Sequence, residues 1–421
     1  MALPSLTKRL LAAVAATVTF ATPMTAAEAA PGPSSAPEWW FDSWHATDLW
    51  AGGADGHGIT IAVVDTGVQA SIPELSGKIL PGADFISNGT DGRTDFDGEG
   101  FSHGTAMASL MVARSGLGNI EGLVPNAQIL PIAVPLKGVI KHGSTPDNPT
   151  SGAIDYAVNH GAKIISMSLG GVREQDEDGP DPCPASVQQS VLNAVRKGVL
   201  VVAASGNSGD ADSPVEEPGV CLGVVSVGAV DSSLNVTSFS SRHPYLTLSA
   251  PGDNIPTLSR DSAYIGGGTS QATAITAAAL AMVWSKYPAE NARQVLTRVL
   301  TTATDRGPAG RDSSYGYGVI NPEAAIDAAV PATTAPNSVF DGVAPLLATH
   351  GASTGKPKVL PAAHGTPNLG RFVVSSAADQ PPTSTLVLAV AALVLLLVAI
   401  VTFILALRRK ADPSPWPNGT G

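Results

Sequence analysis

Residues 59–67 read Ile59-Thr60-Ile61-Ala62-Val63-Val64-Asp65-Thr66-Gly67. The run from Ile59 to Val64 is short, rich in β-branched residues, and halted by an Asp-Thr-Gly turn. That combination describes a buried β-strand rather than a helix. Similar runs recur at Ile129 to Val134, Lys163 to Met167, Val199 to Ala204 and Val224 to Val227. Between them, Gly152 to His160 and Ala185 to Lys197 carry helical spacing. Strands alternating with helices predict an α/β domain whose central, mainly parallel sheet is covered on both faces. Further on, the Ala-rich run Ser270 to Lys286 reads as a buried helix, and Asn291 to Thr302 as an amphipathic one.

Outward from this region the composition changes. Residues 30–57 form an N-terminal extension with an aromatic cluster, Trp39, Trp40, Phe41, Trp44 and Trp50, expected to pack on the main domain at 58–330. Residues 331–385 are rich in Pro, Ala, Ser and Thr and read as a flexible linker, with room for a small ordered element at Val343 to Leu347. Both ends carry topology signals. Lys8 and Arg9 precede an apolar run from Leu10 to Phe20, and Ala27-Glu28-Ala29 supplies small residues for cleavage, so 1–29 reads as a secretory signal peptide. Residues 386–407 hold no charge and are long enough for a transmembrane helix across a hydrocarbon core of about 30 Å. Arg408-Arg409-Lys410 follows, and basic flanks stay inside, which leaves 408–421 as a cytoplasmic tail. The expected location is therefore the cell membrane, single-pass, with the main domain outside.

Acidic residues outnumber basic ones, 35 to 24, for a net charge of -11. Nucleic acid is excluded as a partner, because phosphate neutralisation needs clustered Lys and Arg. The two cysteines, Cys183 and Cys221, are too few for a disulfide scaffold or a cysteine-based zinc site.

Three segments carry the residue types that acyl transfer needs: a nucleophile, a base, and a group that orients the base. Asp65 stands at a strand's C-terminal end, the edge of a parallel sheet where sites form. His103 lies in Ser102-His103-Gly104-Thr105-Ala106-Met107-Ala108, a helix start with small residues behind it. Ser270 lies in Gly266-Gly267-Gly268-Thr269-Ser270-Gln271-Ala272 and opens the Ala-rich helix, so its own N–H and the helix dipole's positive end meet a developing oxyanion. Asn207, after Val201 to Gly206, offers a second donor. Ser168, Leu169 and Gly170 end a strand in glycines, where an extended peptide can add as a further strand. Taken singly, these residues have ordinary readings: a turn cap, a structural histidine, an N-cap serine, a Gly-Asn turn.

Together, from about residue 44 to about 330, they resemble the subtilisin-like serine peptidases: DTG, HGT, SLGG, GN and GTS occur in that family's order, with the chain order Asp, His, Ser. The resemblance implies a three-layer fold and a serine endopeptidase acting on polypeptides; apart from the acidic stretch noted below, no cofactor or metal site is evident in the sequence. By the same resemblance Asp65 orients the base, His103 is base and then acid, and Ser270 attacks. Asn207 and the Ser270 N–H bind the oxyanion, and Ser168, Leu169 and Gly170 line the non-prime side. Ala250-Pro251-Gly252 and Tyr315-Gly316-Tyr317-Gly318 match family framework. Ala274 departs from the pattern, because a proline is usual four residues after the nucleophile; Ala is a good helix former, so the helix is expected to survive. Gln271 replaces a common methionine, which leaves the site less open to oxidation.

The layout of signal, Trp-bearing lead, peptidase, linker and C-terminal helix looks like the mycosins, membrane-anchored subtilases associated with type VII secretion, and so implies secretion-complex partners in the membrane. The roughly thirty residues before the first strand are too short for a folded pro-domain. Cys183 and Cys221 flank the helix and strand that deliver Asn207; outside the membrane a disulfide between them persists, and free thiols are the alternative. The acidic stretch Glu174 to Asp181 reads as a solvated loop, with calcium binding or attraction of basic peptides as the alternatives. Two rival functions stand beside endopeptidase: a mainly structural subunit of a membrane complex, and an esterase on the same triad, against which the peptide-pairing strand argues.

Overall fold

The computed structural model describes residues 38–86, 89–97, 102–135, 149–172, 183–210, 213–329 and 335–351. The expected signal peptide at 1–29, the apolar stretch at 386–407, the expected tail at 408–421, the acidic stretch at 174–181 and the expected linker beyond 351 lie outside the described residues. Among the described residues, no helix is long and apolar enough to cross a membrane.

Along the chain come α1 (Trp39–Ser43), α2 (Ala46–Ala51), β1 (Thr60–Asp65), β2 (Ala83–Asp84), α3 (His103–Val112), β3 (Gln128–Ala133), α4 (Pro149–Asn159), β4 (Ile164–Met167), β5 (Gly171–Val172), α5 (Ala185–Arg196), β6 (Leu200–Ala204), β7 (Glu216–Glu217), β8 (Val224–Val230), β9 (Leu248–Pro251), β10 (Ile255–Leu258), β11 (Ala263–Gly266), α6 (Thr269–Lys286), α7 (Ala292–Thr302), α8 (Pro322–Asp327) and α9 (Ser338–Gly351). Seven strands form one sheet in the order β2-β3-β1-β4-β6-β8-β9. Every pairing within it is parallel.

β1 shows why the sheet needs two apolar faces. Successive side chains of a strand point to opposite sides, and Ile61 and Val63 enter one core while Ala62 and Val64 enter the other. The first core is filled from α3, α6 and α7, the second from α4 and α5. The result is a three-layer α/β arrangement, as the strand and helix pattern predicts. α6 is buried along most of its length because it runs against β4, β6, β8 and β9. Alanines suit that place, since they let helix and sheet approach closely without side-chain entropy cost. The helix passes unbroken through Ala274, which is wholly buried.

The lead segment is folded onto the domain. Trp40, Phe41 and Trp44 are buried in the larger core, Phe41 and Trp50 meet edge to face at 5.1 Å, and Trp50 Nε1 donates to the Leu123 carbonyl at 2.8 Å. At the other end the linker boundary moves. α9 occupies 338–351, packs on α5 and buries Val343 in the second core, so the ordered structure extends past residue 330. An apolar residue at 343, within reach of the groove beside α5, outweighs the linker-like composition around it.

Cys183 and Cys221 form a disulfide across 38 positions. It ties the residue ahead of α5 to the loop that enters β8, and so closes the segment carrying Asn207.

Candidate active site

The C-terminal ends of three neighbouring parallel strands supply the site. β1 ends on Asp65, β4 runs into Ser168, and β6 runs into Asn207. Parallel strands place these ends on one edge of the sheet, where the helices that follow begin.

Asp65 and His103 meet there. His103 Nδ1 donates to Asp65 Oδ1 at 2.8 Å, with both side chains buried. A carboxylate only accepts, so the proton sits on Nδ1 and Nε2 keeps its lone pair. Asp65 Oδ1 also accepts from the Thr66 N–H at 2.8 Å and the Thr66 hydroxyl at 3.3 Å, which fixes the position of that oxygen. Asp65 Oδ2 is buried and has no hydrogen-bond partner among the described residues.

Gly104 explains how α3 comes this close to β1. A Cβ there would lie 2.1 Å from the Gly67 carbonyl oxygen, so no other residue fits directly after His103 without moving the helix. The Gly104 N–H, one of the helix's unpaired donors, is taken by Thr66 Oγ1 at 2.9 Å. Ser102, just before the histidine, has left-handed backbone at φ 50°, a conformation that costs a non-glycine residue on the order of 1–2 kcal/mol. Strain of this kind is held in place where the neighbouring side chain must be aimed.

Burial opposes a charge on His103, but the Asp65 charge and hydrogen bond, with Asp95 and Asp97 farther off, outweigh it and hold the imidazole above its ordinary value. Asp95 is itself buried, accepting from the Thr105 N–H at 2.8 Å and the Thr105 hydroxyl at 2.6 Å. Burial pushes its carboxyl up despite those bonds.

Ser270 lies in the first turn of α6 and is locked to Ser168 in both directions. The Ser168 hydroxyl donates to the Ser270 carbonyl at 2.9 Å, and Ser270 Oγ donates to the Ser168 carbonyl at 3.2 Å. No hydrogen bond joins Ser270 to His103 in this conformation. Attack by Ser270 with His103 as its base would require the hydroxyl to turn from the Ser168 carbonyl toward Nε2.

Asn207 is held from the same turn. Its Oδ1 accepts from the Thr269 N–H at 2.8 Å and from Thr269 Oγ1 at 2.9 Å. With the amide oxygen so fixed, Nδ2 is turned away from Thr269, on the side of Gly268, where it lies 3.2 Å from the Cβ position of that glycine. Nδ2 and the Ser270 N–H are both donors, and donors converging at a helix N-terminus suit a developing negative charge.

Of the residues singled out in the sequence, Asp65 and His103 are joined directly, Ser270 is tied to Ser168, and Asn207 is tied to Thr269 beside Ser270. Leu169 is buried and Gly170 continues toward β5. Sequence reasoning missed Thr66, Thr269 and Asp95. Thr66 and Thr269 sit inside the quoted motifs as Thr after Asp and Thr before Ser, so the signal was present without its function. Asp95 carries no local pattern. Among the described residues no group of His, Cys, Asp and Glu is arranged to hold a metal.

A seven-stranded parallel sheet with this edge is that of a subtilisin-like serine endopeptidase. Residues 56–318 match the peptidase S8 family, and the chain belongs to this Subtilase family. It is 35% identical over 279 residues to subtilisin DY of Bacillus licheniformis, covering 65% of this chain and 93% of that protein. It is 36% identical over 256 residues to the major intracellular serine protease of Bacillus subtilis, covering 60% and 76%. Similar solved structures include the MycP3 protease from the type VII (ESX-3) secretion system, at 28% identity and TM-score 0.57, covering 70% of this chain and 90% of that one. MycP1 from Mycobacterium smegmatis is similar at 25% identity and TM-score 0.58, covering 72% and 88%.

Proposed function

We propose that this chain is an extracytoplasmic endopeptidase that hydrolyses peptide bonds through an acyl-enzyme on Asp65, His103 and Ser270, and that it serves a type VII secretion system in the manner of the mycosins. The observation that carries the catalytic part is the Asp65–His103 hydrogen bond at 2.8 Å, at the same sheet edge as Ser168, which holds Ser270.

In this mechanism a peptide lies along Ser168 to Gly170 as an added strand, its scissile carbonyl over Ser270. Ser270 Oγ attacks the carbonyl carbon while its proton passes to His103 Nε2. The oxygen becomes an oxyanion held by the Ser270 N–H and Asn207 Nδ2. Collapse breaks the C–N bond, and the leaving amine takes the proton from His103. Water then repeats the sequence, giving its proton to His103 and its oxygen to the acyl carbon, and Ser270 recovers its hydrogen. Asp65 keeps the ring in one tautomer and stabilises the imidazolium without being protonated itself.

The secretion role is supported by likeness to MycP1 and MycP3 and by the sequence layout, with an export signal ahead of the domain and an apolar segment at 386–407 as tether. The experiment is a comparison of wild type with Ser270→Ala in cells lacking the chromosomal copy. Loss of cleavage in both peptide assays and secreted proteins supports the enzymatic reading. Full secretion and normal complex assembly with Ser270→Ala favour the structural-subunit reading, and absence of secretion-channel components from a pull-down of the full chain removes the type VII assignment.

A further inference from the structure

A second buried carboxylate is tied to the Asp65–His103 pair. Asp95 is 1% exposed and sits on the segment that precedes α3. That segment runs beside the turn after β1: the Phe96 N–H donates to the Thr66 carbonyl at 3.0 Å, and the Val68 N–H to the Gly92 carbonyl at 2.9 Å. Asp95 Oδ2 accepts from the Thr105 N–H at 2.8 Å and the Thr105 hydroxyl at 2.6 Å, and Oδ1 accepts from the Asp97 N–H at 3.2 Å. Thr105 Oγ1 accepts in turn from the Gln69 N–H at 2.9 Å. The Thr66 hydroxyl also bonds to the Asp95 carboxyl and pulls it down. The same oxygen takes the Gly104 N–H at 2.9 Å and stands 3.3 Å from Asp65 Oδ1. One carboxylate therefore holds the residue after Asp65 and the residue two after His103, so both partners of the 2.8 Å hydrogen bond are tied to it through a neighbour.

Each group bonded to the Asp95 carboxylate is a donor, and 2.6 Å is the length of a hydroxyl's bond to an ionised carboxylate. Burial opposes that charge, and the bonds from Thr105, Thr66 and Asp97 support it. Among the described residues no cation pairs with it. The Arg260 guanidinium, from the turn between β10 and β11, donates through Nη2 to the Asp95 carbonyl at 2.7 Å instead. The charge is thus left to act on the neighbouring imidazole. Asp65 faces His103 from β1, Asp95 and Asp97 face it from the segment ahead of α3, and all three favour the protonated ring. Tyr264 of β11 lies near the same three carboxylates, and burial keeps its phenol neutral by holding it above its ordinary value. β3, β10 and the first two turns of α6 contain no Asp, Glu, His, Lys or Arg.

We infer that Asp95 is a positioning residue for the proposed reaction. Acting through Thr66 and Thr105, it fixes Asp65 and His103 against each other, and its charge stabilises the imidazolium that forms when His103 takes the Ser270 proton. This rests on the roles proposed above for Asp65, His103 and Ser270. A purely structural Asp95 would alter stability on replacement and leave the charge state of the ring where it was.

Asp95→Asn removes the charge while keeping the shape and an acceptor for Thr105. Two measurements on the full chain compare it with wild type. The first is an NMR titration of the His103 ring in chains that also carry Ser270→Ala, the signal being identified by its loss in His103→Ala. It needs no catalysis, and in Asp95→Asn the ring is expected to titrate at lower pH. The second is the pH profile of kcat/KM and kcat on one peptide. The acid limb of kcat/KM should move the same way, and kcat should fall about 10-fold, the scale of one hydrogen bond to a charged group, with KM within about twofold. A ring and an acid limb that stay in place in a folded Asp95→Asn overturn the inference, whatever happens to stability. If that variant does not fold, Thr105→Val decides: kcat should fall about 5- to 10-fold and return in Thr105→Ser, and unchanged kcat in Thr105→Val overturns the inference. Failure of the underlying reading looks different. Ser270→Ala that still cleaves removes Ser270 as nucleophile, while the ring titration still reports on Asp95.

Discussion

Thr269 holds Asn207 twice, by its N–H at 2.8 Å and by its hydroxyl at 2.9 Å, both onto the single amide oxygen Oδ1. The residue before Ser270 thus fixes the direction of a side chain 62 positions upstream. Under the roles proposed for Asn207 and Ser270, this ties oxyanion donor and nucleophile together at the start of α6, as electrostatic preorganisation requires.

Asn207→Ala is expected to lower kcat by about 10²- to 10³-fold with little change in KM, a magnitude carried over from subtilisin itself. Thr269→Val removes one of the two anchors, a net loss of about 1 kcal/mol, and should lower kcat about 5- to 10-fold. Thr269→Ser should restore most of it, because the hydroxyl returns. Steady-state kinetics on one peptide measures all three, and unchanged kcat in Asn207→Ala rules out the oxyanion role.

His103 acts as a base only when neutral. Its imidazole is held above its ordinary value by Asp65 against the opposing effect of burial, so kcat/KM should fall as pH drops through a value above that of a free histidine. Asp65→Asn should cost about 10⁴-fold in kcat. It removes the stabilising charge, and the acid limb of its residual activity should move to lower pH. A limb that stays in place means that another group sets it.

Much of this site was legible in the sequence, because short motifs fix both residue type and local backbone. Asp65 ends a β-branched run, and Ser270 follows glycines into an Ala-rich helix, so strand end and helix start were readable from composition. Non-local relationships were not. Nothing near Glu216 announces that β7 folds back to β5 in the register Val172↔Glu216. β10 and β11, a hairpin with Ile255↔Gly266 in register, went unread, because runs of four residues lack periodicity. Of α9 the sequence leaves room only for a small element at Val343 to Leu347, because the Pro and Ala composition around it hides the helix's full extent of 338–351. Cys183 and Cys221 are joined, as their placement outside the membrane led us to expect, and the free-thiol alternative falls.

The disulfide closes a segment of 38 positions. In the chain-entropy account such a loop contributes about 3 to 4 kcal/mol. Replacing both cysteines with alanine should lower Tm by roughly 5 to 10 °C, measured by calorimetry or circular dichroism on the purified, oxidised protein. An unchanged Tm means that the unfolded chain gains no freedom from the cut.

Glu38 introduces a pH dependence on the lead segment. Burial raises its carboxyl to about 8 against an ordinary 4.5, with the Glu121 N–H donating to Oε1 at 3.3 Å as a partial offset. The folded state therefore holds a proton that the unfolded chain releases near 4.5, and stability should fall as pH rises from there through about 8. Glu38→Gln should be more stable than wild type at pH 9 and show no gain at pH 4. Parallel stability curves for the two proteins would contradict the burial of a neutral Glu38.

The most direct test of the central claim is to label the folded protein with a fluorophosphonate and locate the adduct by mass spectrometry. The account predicts one phosphonyl group per chain, bonded to Ser270 with loss of fluoride, and no labelling in His103→Ala. An adduct on any other residue, or an unlabelled protein that still cleaves peptides, would contradict it.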